Sequence, residues 1–241
     1  MDPTTRQARG GGAGTPTPLR VAVIIGSTRR GRAGDAVGRW FLGRVRHRDT
    51  VEPAVVDLAE YDFPARHPEV PTRQTAAFTA EIDRAEAFVV VTPEYNRSFP
   101  ASLKQAIDYA YEEWRAKPVG FVSYGHRSRG LYAVEQLRSV FTELHTVTVR
   151  DGVGLDLVYG TPDDEDGHGG GGRNDGGGRN DGGPGGDGRD GGGFPGGEGP
   201  GGGDGRHGGD GPARDADALL DQLVWWGLAL REARAVRPYV C

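Results

Sequence analysis

The stretch RVAVIIGSTRRGR (residues 20–32) runs from consecutive apolar side chains into glycine, hydroxyls and arginines. Arg20 to Ile25 shows no polar alternation, so it reads as a short strand covered on both faces and ending at Gly26. Beyond the loop, Gly34 to His47 carries Val37, Phe41, Leu42 and Val45 at helical spacing. A buried strand, a Gly-containing loop and an amphipathic helix form the first unit of a parallel α/β sheet.

The same alternation continues outward. Val51 to Leu58 reads as a second strand, and Pro53 inside it suits a sheet edge. Tyr61 to Arg73 holds Pro64, Pro68 and Pro71 and reads as a loop. Gln74 to Ala85 is helical, and Ala87 to Thr92 (AFVVVT) is a third buried strand. The spacing predicts a helix over Pro100 to Trp114, with Leu103, Ile107, Ala110, Tyr111 and Trp114 on one face and Pro100 in its first turn. Pro118 to Tyr124 is a fourth strand and Gly130 to Leu144 a helix through Val134, Leu137 and Phe141. His145 to Arg150 is a fifth strand. Asp215 to Ala235 is a last helix with Leu219, Leu220, Leu223, Trp226 and Leu230 in register. Five alternations with right-handed crossovers predict a flavodoxin-like three-layer α/β/α sandwich with a five-stranded parallel sheet in the order 2-1-3-4-5. In that order ligands bind outside the carboxyl ends of the strands, so the loops after strands one, three and four are the expected site.

Composition narrows the class. The chain has 241 residues and a formal net charge of −5. Residues 161–212 hold 26 of the 42 glycines, 11 acidic and 4 basic residues, and Phe194 as their only large apolar residue. They cannot bury enough apolar surface to offset ordering entropy, so a disordered insertion at 161–212 is expected. GGRNDG repeats at Gly171–Gly176 and Gly177–Gly182, without the apolar position of a calcium-binding nonapeptide or the period of collagen. Residues 1–18 read as a disordered N-terminal tail. Residues 19–241 then form one domain around the insertion, with about 170 residues able to pack. No run of 18 apolar residues exists and the start has no apolar signal core, so neither membrane insertion nor export is expected and the cytoplasm is the default. Cys241 is the only cysteine, which excludes an internal disulfide framework, a cysteine zinc site and an iron–sulfur cluster. The packed part is nearly neutral, which argues against nucleic-acid partners.

Three loops carry the chemistry. Gly26 to Arg32 (GSTRRGR) presents Ser27 and Thr28 hydroxyls, Arg29, Arg30 and Arg32, and backbone N–H groups at a helix start; this suits a phosphate monoester. It is not the dinucleotide fingerprint, because no glycine lies two after Gly26, and not a triphosphate loop, because Arg32 and Ala33 replace the required Lys and hydroxyl. A polar loop with surface arginines is the plainer alternative. Thr92 to Pro100 (TPEYNRSFP) has two prolines and offers a rigid wall for a flat heterocycle. Glu94 within it reads as an acid–base group or, more simply, as a carboxylate that holds the loop or a subunit contact. Ser123 to Gly130 (SYGHRSRG) misses the nucleophile-elbow spacing by one residue, which leaves His126 and Ser128 as a weak hydrolytic pair beside a ring-covering role. The histidines lack metal-ligand spacing, so no metal is expected. Lys104 and Asp108 form a surface or interface pair.

GSTRRGR, TPEYNRSFPASLKQAIDY, and KPVGFVSYG with GLYAVEQLR together resemble the NADPH-dependent FMN reductase family, over about Leu19 to Leu155 and the last helix. The resemblance implies a bound FMN, NADPH or NADH as hydride donor, and a quinone, azo, metal-oxyanion or flavin acceptor. It assigns the FMN phosphate to Ser27, Thr28, Arg29 and Arg32, and the isoalloxazine wall to Pro93, Glu94, Tyr95 and Asn96. Ser123, Tyr124, Gly125 and His126 would close the ring's other edge. The flavin would carry the chemistry with no catalytic side chain, and the chain would form a homodimer or homotetramer. An FMN-binding electron carrier or redox-responsive interaction module with little turnover is the alternative. Gln105 stands where the family has Asn, and His126 to Arg129 replace a small Gly-rich stretch. Arg127 and Arg129 are expected to favour NADPH over NADH.

Overall fold

The computed structural model describes residues 17–157 and 211–240. The strands are β1 (Leu19–Ile25), β2 (Val51–Asp57), β3 (Ala87–Pro93), β4 (Pro118–Gly125), β5 (Val147–Thr148) and β6 (Val153–Asp156). The helices are α1 (Gly34–Arg46), α2 (Arg73–Arg84), α3 (Ala101–Asp108), α4 (Leu131–Glu143) and α5 (Gly211–Val236). All strand pairs are parallel in the order β2-β1-β3-β4-β5, with β6 also on β4.

The two-residue period of β1 divides its side chains between two cores. Val21 and Val23 pack with Phe41 and Val45 of α1 and with Leu219, Leu220 and Leu223 of α5. Ala22 and Ile24 face Phe78 and Ile82 of α2, Leu103 and Ile107 of α3, and Leu137 and Phe141 of α4. The sheet is therefore covered on both faces, which is why its central strands need no polar alternation. Among the described residues no helix is long and apolar enough to cross a membrane.

Three elements depart from expectation. The fifth strand is broken. β5 pairs with Pro118 and Val119 and β6 with Val122 to Gly125, so two extra residues are inserted opposite β4. Arg138 donates to the carbonyls of Val149 (2.7 Å) and Arg150 (2.9 Å), and Gln222 accepts from Asp151 N, so the bulge's backbone groups keep partners. The helix expected to Trp114 ends at Asp108. A short 3₁₀ turn over Glu112–Trp114 follows, and Trp114 Nε1 donates to Ile107 O at 3.2 Å. This seats Trp114 against Phe88 and Phe141 and leaves Tyr111 exposed. Finally, α5 begins at Gly211, so the last two residues of the expected insertion are helical. Its Trp226 is exposed. Gly227 makes the contact instead, where a Cβ would lie 2.4 Å from Leu19 Cδ2. The tail (residues 1–16) and insertion (residues 158–210) otherwise lie outside the described residues.

Candidate functional site

The β1–α1 loop is held from below. Gly26 N donates to Val91 O (2.8 Å), Ser27 is fully buried, and Tyr124 donates its hydroxyl to Ser27 Oγ at 3.0 Å. Burial pushes the Tyr124 hydroxyl up to about 12, so it stays a protonated donor at neutral pH. A Cβ on Gly34 would lie 2.4 Å from Ser27 Oγ and 2.8 Å from Tyr124 Oη, so this helix start requires glycine. Gly31 adopts φ +65°, which turns the loop. Thr28, Arg29 and Arg30 are exposed, and no side chain caps α1. The amides of its first turn thus have no side-chain acceptor, which is the chemistry of an anion seat.

The arginines separate. Arg32 lies beneath the loop: its guanidinium donates to both carboxylate oxygens of Asp57, to Asp35 and to the carbonyl of Ser27. Hydrogen bonds to Asp57 and then Asp35 raise its pKa above the ordinary value, against the opposing cost of burial. Its charge is balanced before any ligand arrives. Arg29 instead lies over the ring of Tyr95, 4.0 Å from its centroid, which couples the first loop to the loop after β3.

That second loop is a tight turn. Tyr95 and Ser98 exchange both backbone hydrogen bonds (2.7 and 2.9 Å), while Asn96 (φ 50°) and Arg97 (φ 63°) are both left-handed, as in a two-residue hairpin turn. Asn tolerates this conformation; for Arg it is strained. α4 stabilises the turn. Gln136 donates to Arg97 O (2.8 Å) and accepts from Ser98 Oγ (2.6 Å), and the Arg97 guanidinium lies 4.0 Å from the Tyr132 ring centroid. Glu94 accepts from Tyr132 N at 3.2 Å, and its own amide donates to Tyr124 O. It ties the loop to the start of α4.

The loop after β4 is pinned from inside. Ser123 is buried and its hydroxyl donates to Arg129 O (2.8 Å), with Val153 O at 3.3 Å. Gly130 (φ +86°) leaves no room for a Cβ, which would meet Ser123 Cβ at 2.5 Å. Gly125 is half-buried, and His126 and Arg127 are exposed. No hydrogen bond joins His126 to Ser128 among the described residues.

The expected residues therefore fall into two groups. Thr28, Arg29, Tyr95, Asn96, Gly125 and His126 lie on accessible surface at the carboxyl end of the sheet. Ser27, Arg32, Pro93, Ser123 and Tyr124 sit beneath it, and Glu94 ties it to α4. Sequence reasoning missed Asp57, Tyr132 and Gln136, although Asp57 stands at a strand's carboxyl end, where the topology already pointed. An open cleft of about 650 Å³ adjoins the turn and is lined by Arg97, His126, Arg127, Ser128, Leu131 and Tyr132 together with Glu94. Arg129 lies apart from it, its side chain over Gly154 of β6.

Residues 19–158 match the model of a family described as NADPH-dependent FMN reductase. An NAD(P)H-dependent FMN reductase of Schizosaccharomyces pombe is 36% identical over 121 residues, covering 46% of this chain and 60% of the relative. That of Saccharomyces cerevisiae is 29% identical over 161 residues, covering 59% and 83%. A quinone reductase of Escherichia coli K12 is 32% identical over 93 residues, covering 38% and 50%. The chain thus spans 60% and 59% of the length of the first two curated relatives. Among solved structures, RosB with a bound formylated riboflavin phosphate intermediate has a TM-score of 0.59 at 11% identity, over 92% of this chain and 82% of that one, which bears on the fold alone. The family match covers more than half of the chain and coincides with the sheet and all three loops: the chain belongs to the NADPH-dependent FMN reductase family.

Proposed function

We propose that the protein is an FMN-dependent NAD(P)H oxidoreductase that passes electrons to a quinone, azo, metal-oxyanion or flavin acceptor. The observation that carries this reading is the β1–α1 loop: exposed hydroxyl and guanidinium donors in front of an uncapped 13-residue helix, with Arg29 stacked on Tyr95 of the adjoining loop. Such a donor set, with its one buried arginine already neutralised by Asp57, fits a phosphate monoester with a ring system beside it. When bound, FMN supplies the redox chemistry, accepting a hydride at N5 and passing two electrons onward.

In this reading Thr28, Arg29 and the first-turn amides of α1 hold the phosphate. The backbone of Pro93 to Asn96 lines the ring and the Tyr95 ring borders it. Asn96 and nearby amides stabilise negative charge on the reduced ring. Gly125 and His126 close the opposite edge. Ser27, Arg32, Ser123 and Tyr124 act as positioning residues through the bonds described above. We also infer a cytoplasmic homodimer or homotetramer, on the family resemblance; light scattering of the purified chain tests the assembly.

The experiment is the visible absorption spectrum of the purified chain, before and after adding NADPH without oxygen. A flavin spectrum that bleaches is the expected result. A flavin that stays oxidised would favour an electron carrier. A colourless protein that takes up no added FMN would overturn the reading.

A further inference from the structure

The cleft between the turn at residues 95–98 and the loop after β4 has two unlike walls. One is apolar: Leu131 and Tyr132 begin α4 with 55% and 39% of their surface exposed. The other is cationic. The Arg97 guanidinium lies over the Tyr132 ring, 4.0 Å from its centroid, a contact that holds the cation at the cleft without using its N–H donors on a carboxylate. Arg127 faces it from the opposite loop and has no hydrogen-bond or ion-pair partner among the described residues. The single carboxylate in the cleft, Glu94, accepts a hydrogen bond from Tyr132 N, so its charge is partly offset by the start of α4. Two arginines outweigh it.

We propose that this cleft is the acceptor subsite, and that it selects planar aromatic acceptors bearing an anionic group, with the ring against Leu131 and Tyr132 and the anion between Arg97 and Arg127. The assignment of the ligand as an acceptor rests on the oxidoreductase reading. Proximity favours an acceptor over the remote end of the nicotinamide donor. Arg97 and Arg127 each follow by one residue a side chain assigned to the ring, Asn96 and His126, so the anion lies within a ring substituent's reach. A donor's adenosine phosphate is many bonds further away. Arg129, over β6, takes no part.

The test is binding, read by calorimetry on the full chain with and without added FMN, using naphthalenesulfonate and neutral naphthalenemethanol as redox-inert probes. The sulfonate is expected to bind about tenfold more tightly than the alcohol, with affinity falling as salt rises. Arg127→Gln and Arg97→Asn (Asn tolerates the left-handed turn) should each weaken sulfonate binding by about five- to tenfold and leave the alcohol unchanged. Equal binding of the two probes, or variants that bind the sulfonate like wild type, would overturn the assignment. So would ADP-ribose displacing the sulfonate and itself losing affinity in both variants, which would give the cleft to the donor's pyrophosphate. Absence of FMN binding would overturn the oxidoreductase reading, and the ligand's role as acceptor with it. Loss of the charge preference with FMN binding intact overturns the cleft assignment alone.

Discussion

Replacing Asp57 with alanine tests whether Arg32 is a positioning residue or a ligand contact. Arg32 is 9% and Asp57 16% exposed at the side chain, so the pair is well buried beneath the β1–α1 loop. Removing one partner of a buried pair costs about 3–5 kcal/mol, because the other charge is left uncompensated. Here Asp35 and the Ser27 carbonyl remain as acceptors, and Asp35 is 49% exposed, which lowers the expected loss to about 2–3 kcal/mol. For a chain of this size that is a fall in Tm of about 5–10 °C. Part of the loss belongs to Asp57's second role, accepting from Ala59 N at 2.9 Å. The double variant Arg32→Met with Asp57→Ala should recover most of the remainder, since replacing both partners of a buried pair is nearly neutral. Thermal melting by circular dichroism gives the stability, and quenching of FMN fluorescence gives cofactor affinity on the same samples. A Tm change below about 1 °C would refute the buried-pair argument. If Arg32→Met with Asp57→Ala regains stability but loses FMN affinity as severely as Arg29→Ala, Arg32 touches the phosphate directly and the positioning role is wrong.

Other expectations follow from the same contacts. Gly34→Ala should cost about 1–3 kcal/mol and weaken FMN binding by displacing Ser27, while Gly43→Ala, with nothing within 4 Å of a new Cβ, should stabilise α1 by up to about 1 kcal/mol. Equal melting temperatures for the two variants would discredit the Gly34 seat. Tyr124→Phe removes a buried donor to Ser27 and should lower stability by about 1 kcal/mol, read by urea denaturation; no change would mean the bond is not formed. Lys117 donates to the carbonyls of Ile82 and Asp83, and burial pulls its pKa down to about 8. The unfolded chain then binds more protons between about pH 8 and 10.5, so wild-type stability should rise with pH across that window relative to Lys117→Met. A flat difference between the two chains would show that the amine titrates normally.

The fold was legible where local pattern and packing coincide. Val21 to Ile25 and Ala87 to Val91 are apolar without alternation because both faces of the sheet are covered, and that alone implies helices on each side. The misses have one cause. Spacing reports which residues are buried, not which backbone path buries them. Leu103, Ile107, Ala110 and Trp114 are all buried as their helical spacing implied, yet a 3₁₀ turn brings Trp114 into place after α3 has ended. Val149 and Val153 are both buried, but four residues (149–152) separate β5 from β6 where β4 has only two (120–121). Trp226 has the right spacing for the core and lies outside it, because Gly227 lets α5 approach Leu19 too closely for a large side chain there.

For the site, residue type was a better guide to location than to role. Gly26 to Arg32 offered three arginines to one phosphate, and nothing local separates them. Their roles diverge only through Asp57, 25 residues further on, which balances Arg32, and through Tyr95, which carries Arg29. Similarly, the strained pair Asn96–Arg97 is affordable only because Gln136 and Tyr132, on a helix that starts 34 residues later, hold the turn. That dependence makes a distinct prediction. Gln136→Ala removes its two hydrogen bonds to the turn and leaves the Arg97–Tyr132 contact and the cleft's charges in place. It should free Arg97 from its left-handed conformation and weaken naphthalenesulfonate binding about threefold, at a cost in stability of about 1 kcal/mol. Crystallography or proton–deuterium exchange at the amides of residues 96–98 reads the turn directly. Unchanged exchange together with unchanged sulfonate affinity would mean that the turn holds itself. The strain would then be compensated by the paired backbone bonds of Tyr95 and Ser98 and by the Arg97–Tyr132 contact, and Gln136 would add nothing to it.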